Sequence, residues 1–99
     1  MKMKIKYGIV GSGLMGCEHI SNINLIDSAE VVAISDSNEN SINKAKNLIS
    51  NDIKIYSNND EIFKNNEVDA FIISTPNFTH HNIIKEALKT KKHLLIEKP

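Results

Sequence analysis

The 99-residue chain has no tryptophan, two prolines, a single cysteine and no arginine, so all 12 basic residues are lysine. Twelve acidic residues balance them, and the net charge is zero. That balance excludes the basic surface by which a protein holds nucleic acid or an anionic membrane. One cysteine, Cys17, excludes an internal disulfide and any cysteine-based zinc site, and no metal site is expected. No apolar run approaches the roughly 20 residues that span a bilayer. The opening MKMKIKYGIVGSG lacks the apolar stretch and small-residue cleavage site of a signal peptide, so a cytoplasmic protein is expected. Without arginine, bidentate recognition of a phosphate is not available either.

What is present alternates along the chain. IKYGIV (5–10) is a short apolar run that ends in glycines, a first strand. From Leu14 to about Ile26, Met15, Ile20, Ile23 and Ile26 recur at helical spacing. EVVAISD (30–36) is a continuous β-branched run, as a strand covered on both faces should be. Asn38 or Asn40 is placed to cap a helix carrying Ile42, Ala45, Leu48 and Ile49 on one side. IKIY (53–56) alternates and suits the sheet edge, and DEIF (60–63) predicts a short helix with acids in its first turn. VDAFIIST (68–75) predicts a fourth strand, buried except for Asp69. A proline turn follows, then a helix over about 79–90 with Ile83, Ile84, Ala87 and Leu88 inward, and a buried fifth strand in HLLIE (93–97). Alternating strands and helices imply right-handed crossovers and a parallel sheet. The prediction is an α/β, Rossmann-type doubly wound domain over residues 1–99, with five strands in the order 3-2-1-4-5.

Two features give that sheet a chemistry. Gly11, Gly13 and Gly16 stand in G-x-G-x-x-G spacing between the first strand and the first helix. Gly11 permits the tight turn, Gly13 clears the approach of a pyrophosphate, and Gly16 lets helix and strand pack closely. The helix N-terminus offers its unsatisfied N–H groups to the phosphates. Asp36 then ends the second strand, 20 residues beyond Gly16. A carboxylate there accepts hydrogen bonds from an adenine ribose and repels a 2′-phosphate, which favours NAD over NADP. Lys44 and Lys46 on the next helix keep NADP as the alternative, and the glycine turn alone also leaves flavins, adenosylmethionine and coenzyme A open. The tips of the fourth and fifth strands, STPNFTHH and EKP, point to the same rim.

The segments YGIVGSGLMGCEHI, EVVAISD, STPNFTHHNIIKEAL and KKHLLIEKP together resemble the N-terminal domain of the Gfo/Idh/MocA (glucose–fructose oxidoreductase / inositol 2-dehydrogenase) family. The resemblance implies that Gly11, Gly13 and Gly16 hold the pyrophosphate, with backbone contacts from Ser12, Leu14 and Met15, and that Asp36 holds the adenine ribose. Thr75, Pro76 and Asn77 are implied along the nicotinamide half, His80 behind them and Glu97 at the nicotinamide ribose. Lys98 is implied to face the substrate as the catalytic residue, bonding the hydroxyl that becomes a carbonyl, with Pro99 shaping the turn. The family's usual glycine before KH is Lys91 here, and its valine is Leu94.

The expectation is therefore the cofactor-binding part of an NAD-dependent oxidoreductase acting on a sugar, polyol, cyclitol or nucleotide sugar. The substrate domain is absent from these residues, the full-length form is expected to be a homo-oligomer, and these 99 residues alone are expected to be inactive. A non-catalytic nucleotide sensor and a non-functional truncated product are the alternatives; a sensor has no use for Lys98. His19, His81 and His93 are expected to pack or face solvent, and Cys17 to pack, although a helix N-terminus is able to lower a thiol's pKa.

Overall fold

The computed structural model describes residues 4–11, 14–49, 52–58, 60–75 and 77–96. Five strands, β1 (Ile5–Val10), β2 (Ala29–Ser35), β3 (Lys54–Tyr56), β4 (Ala70–Ile73) and β5 (His93–Ile96), form one sheet in the order β3-β2-β1-β4-β5. Every pairing is parallel. Helices α1 (Leu14–Asn24), α2 (Glu39–Lys46) and α3 (Asn77–Leu88), with one 3-10 helix at Glu61–Lys64, join the strands. The doubly wound α/β sheet expected from the sequence is the one observed.

The continuous apolar runs are explained by cover on both faces. Ile9 and Val10 are adjacent in β1 and fully buried, one on each side. On one face Ile9, Ile34 and Ile72 pack with Ile20 and Ile23 of α1 and Ala45 of α2. On the other, Val10, Phe71 and Ile73 pack with Ile62 of the 3-10 helix and with Ile83 and Ala87 of α3. Each buried Ile, Val or Phe among them stabilises the fold by about 1.5–3 kcal/mol. Phe71 also meets Phe63 edge to face at 4.9 Å.

Of the two candidate caps for α2, Asn38 is used: its side chain accepts from the Ser41 N–H at 3.1 Å. Glu39 sits in the first turn of α2 and Lys44 and Lys46 in the last, as the helix dipole favours.

Several expectations need correction. Helix α3 begins at Asn77, two residues early, so Asn77 is helical rather than part of the turn. Its buried line is Ile83 and Ala87; Leu88 follows Ile84 on the flank and is 63% exposed. Ile26 and Leu48 lie past the ends of α1 and α2 and are exposed, so they close no stripe. Strand β4 ends at Ile73, before Ser74 and Thr75. Strand β5 is not buried: it pairs with β4 alone at the sheet edge, and Leu95 is 52% exposed.

Candidate functional site

Register decides which residues share a rim. Val10, the last residue of β1, aligns with Ser35 of β2 and Ile73 of β4. The residues that follow, Gly11, Asp36 and Ser74, therefore leave the sheet side by side. Helices α1 and α3 start just beyond, at Leu14 and Asn77, and turn two positive dipole ends toward this rim.

Gly11 has φ 89°, in the left-handed region that strains any side chain. A Cβ there would lie 2.9 Å from Thr75 Cγ2 and 3.0 Å from the Thr75 nitrogen. At Gly16 a Cβ would collide with the Gly11 carbonyl oxygen. Helix α1 can thus start against the turn only because position 16 has no side chain. Both glycines do what their spacing implied.

The Gly11 backbone is fixed from both neighbouring strands. Its N–H donates to the Ser35 carbonyl at 2.8 Å. The Ser74 N–H donates to the Val10 carbonyl at 2.9 Å, and the Ser74 hydroxyl donates to the Gly11 carbonyl at 2.6 Å. Ser74 stands within STPNFTHH, and nothing in the sequence alone assigns it a role. The usable signal was positional: a hydroxyl directly after the strand that pairs with β1.

Thr75 is 7% exposed, with its methyl turned to Gly11. Its hydroxyl oxygen is buried and has no hydrogen-bond partner among the described residues. An unsatisfied buried hydroxyl costs about 1–3 kcal/mol, so its persistence requires an explanation. Asp36, at the tip of β2 on the other side of β1, is half-buried; its N–H donates to the Tyr56 carbonyl at 3.1 Å, and its Oδ1 accepts the Asn38 N–H at 2.8 Å. The α2 cap residue therefore orients the carboxylate.

Cys17, one residue after Gly16, packs against the core beneath α1. Burial pushes its thiol above the ordinary value, outweighing the opposing pull of Lys44. Packing is its role, as expected. His19 is half-buried and His93 is exposed. Ser12, Gly13, Pro76, Glu97, Lys98 and Pro99 lie outside the described residues, as do the side chains of Leu14, Met15, Asn77, His80 and His81. Among the described residues no three His, Cys, Asp or Glu side chains gather as a metal site. No helix among them is long and apolar enough to cross a membrane.

Comparison with known proteins agrees with this arrangement. The family described as "Oxidoreductase family, NAD-binding Rossmann fold" (Gfo/Idh/MocA) matches residues 5–99. A myo-inositol 2-dehydrogenase from Thermotoga maritima is 32% identical over 96% of this chain and 28% of its own length. A 2,7-anhydro-N-acetylneuraminate hydratase from Escherichia coli is 36% identical over 96% of this chain and 24% of its own. Among solved structures, myo-inositol dehydrogenase from Lactobacillus casei, in complex with NAD(H) and myo-inositol, superposes with a TM-score of 0.89 at 29% identity, over 98% of this chain and 29% of that one. A dehydrogenase from Bordetella pertussis, in complex with NADH and UDP-GlcNAcA, does so with a TM-score of 0.84 at 29% identity, over 97% and 29%. The chain spans less than a third of the length of each of these relatives. With its sheet order, glycine turn and near-complete match, the chain belongs to the Gfo/Idh/MocA oxidoreductase family and carries that family's NAD-binding Rossmann fold.

Proposed function

We propose that this chain binds NAD across the rim at the tips of β1, β2 and β4, and contributes it to an oxidoreductase acting on a sugar, a cyclitol or a nucleotide sugar. The observation that supports the reading is the unpartnered Thr75 hydroxyl, buried beside a turn with no room for side chains. A polar group without an internal partner among the described residues, beside the N-terminal end of α1, suits a polar ligand that approaches the main chain closely. A dinucleotide meets both conditions.

The pyrophosphate is assigned to Gly11, Gly16 and the start of α1, with the backbone of Ser12, Gly13, Leu14 and Met15 completing the cradle. Asp36, oriented by the Asn38 N–H, accepts from the adenine ribose and repels a 2′-phosphate. Thr75, Pro76 and Asn77 border the nicotinamide half, with His80 behind and Glu97 at the ribose. NAD, when bound, supplies the hydride acceptor. Lys98 holds the substrate hydroxyl and relays its proton, a role an amine fills once a nearby cation lowers its pKa.

The substrate class follows relatives named for inositols and one bound to UDP-GlcNAcA. In this reading the substrate-binding surface, and the homo-oligomer it belongs to, involve polypeptide outside residues 1–99, and these residues alone turn over little or no substrate. Calorimetric titration of the chain with NAD and with NADP tests the core of the reading. NAD should bind about tenfold tighter, the ratio that roughly 1.4 kcal/mol of repulsion at Asp36 produces. Absence of binding by either would overturn the reading, and tighter NADP binding would overturn the role of Asp36.

A further inference from the structure

Beyond the glycines and Asp36, one more side chain at the rim acts on the turn without facing the ligand. We propose that Ser74 is a positioning residue for the pyrophosphate, setting the direction of the Gly11 peptide through its hydroxyl. The inference rests on the NAD reading above.

Three observations converge on this residue. The hydroxyl donates to the Gly11 carbonyl at 2.6 Å, a short bond for two uncharged groups. The same oxygen lies 3.2 Å from where a Cβ at Gly16 would stand, so it also backs the start of α1. The Ser74 N–H is tied to the Val10 carbonyl, which holds the residue in register with β1. The Gly11 carbonyl thus sits between the tip of β4 and the first turn of α1.

A glycine with φ 89° has a wide choice of conformations, and nothing in its own side chain selects one. Its N–H is fixed by Ser35, which leaves the carbonyl end of the residue to be set. A peptide is planar, so fixing that carbonyl fixes the plane of the peptide that enters the turn. The hydroxyl supplies the fixing bond from a different strand. Without it a part-buried carbonyl loses this donor, and the turn is less firmly held in the orientation in which it meets a phosphate.

The role separates from mere stability by ligand. A residue that orients the phosphate turn matters for NAD and ADP and not for adenosine, which has no phosphate. Titrating the full chain and Ser74→Ala with NAD, ADP and adenosine should show NAD and ADP weakened about tenfold in the variant, the loss expected for one such bond. Adenosine should bind both proteins alike, within about twofold. Ser74→Thr, which keeps the hydroxyl, should restore NAD affinity to within about threefold of the original. Should Ser74→Ala not fold, Ser74→Cys replaces it under the same criteria, since it keeps the volume with a much weaker donor. Equal weakening of all three ligands, or unchanged NAD affinity, overturns the assignment of Ser74 and leaves the NAD reading standing. Failure of the unaltered chain to bind NAD overturns both.

Discussion

At the tips of β1, β2 and β4, two glycines face other backbone and a threonine hydroxyl is buried with no partner among the described residues. Toward the other ends of the strands, Lys6, Glu30, Asp52, Lys54, Asn65 and Glu67 help line a groove of about 430 Å³. By volume the groove is a plausible cavity for a ligand. By chemistry it is a solvated surface: charges of both signs stand along it, and water satisfies them at no cost. The tip region has the opposite character, with backbone cleared of side chains and hydrogen-bonding capacity removed from water. What separates the two is desolvated polar capacity, and only one of them needs a partner to complete it.

Substitutions at the two regions should therefore behave differently. Gly16→Ala is expected to abolish NAD binding and to cost about 1–3 kcal/mol in urea unfolding, because the new methyl meets the Gly11 carbonyl and the Ser74 hydroxyl. Lys54→Ala in the groove should change stability by less than about 0.5 kcal/mol and leave NAD affinity as it was. If the groove variant loses NAD binding as well, the assignment of the two regions is wrong. Asp36→Ala should weaken NAD about tenfold and narrow or reverse the preference over NADP, measured by competition between the two.

Thr75→Val makes a finer distinction, since it keeps the shape and removes the buried hydroxyl. The free chain should gain about 1 kcal/mol in thermal or urea unfolding while NAD affinity falls by roughly threefold to tenfold. A variant that is both less stable and unchanged in NAD binding would mean the hydroxyl serves the fold. A change in stability alone is expected at Lys91. That residue follows α3 with φ 59°, a left-handed position that suits glycine. Lys91→Gly should stabilise the chain by about 0.5–1 kcal/mol without altering NAD affinity.

How much of this was legible in the sequence depends on whether a feature is local. The strand order follows from the alternation of strands and helices along the chain, and the backbone demands at Gly11 and Gly16 from spacing within one βαβ unit; both are seen in the structure. The position of Asp36 was legible for the same reason. Ser74 was not, because its bond to Gly11 crosses 63 residues and exists only through the register of β1 with β4. Nor could the unpaired state of the Thr75 hydroxyl be read from residue types, since threonine commonly finds a partner in the main chain. An apolar run such as HLLI reads the same whether or not something covers it, which is why β5 was expected to be buried and is not. Lys91 departs from the family's usual glycine, and its left-handed backbone shows why glycine suits the position.

The central claim is that the tips of β1, β2 and β4, and not the groove at the other ends of the strands, receive the dinucleotide. The most direct test is an NMR titration of the ¹⁵N-labelled chain with NAD. The account predicts shifts concentrated in the amides of Gly11, Gly16, Asp36 and Thr75, with Lys6, Glu30, Lys54 and Glu67 unmoved. Shifts concentrated in the second set, with the first unchanged, would contradict it.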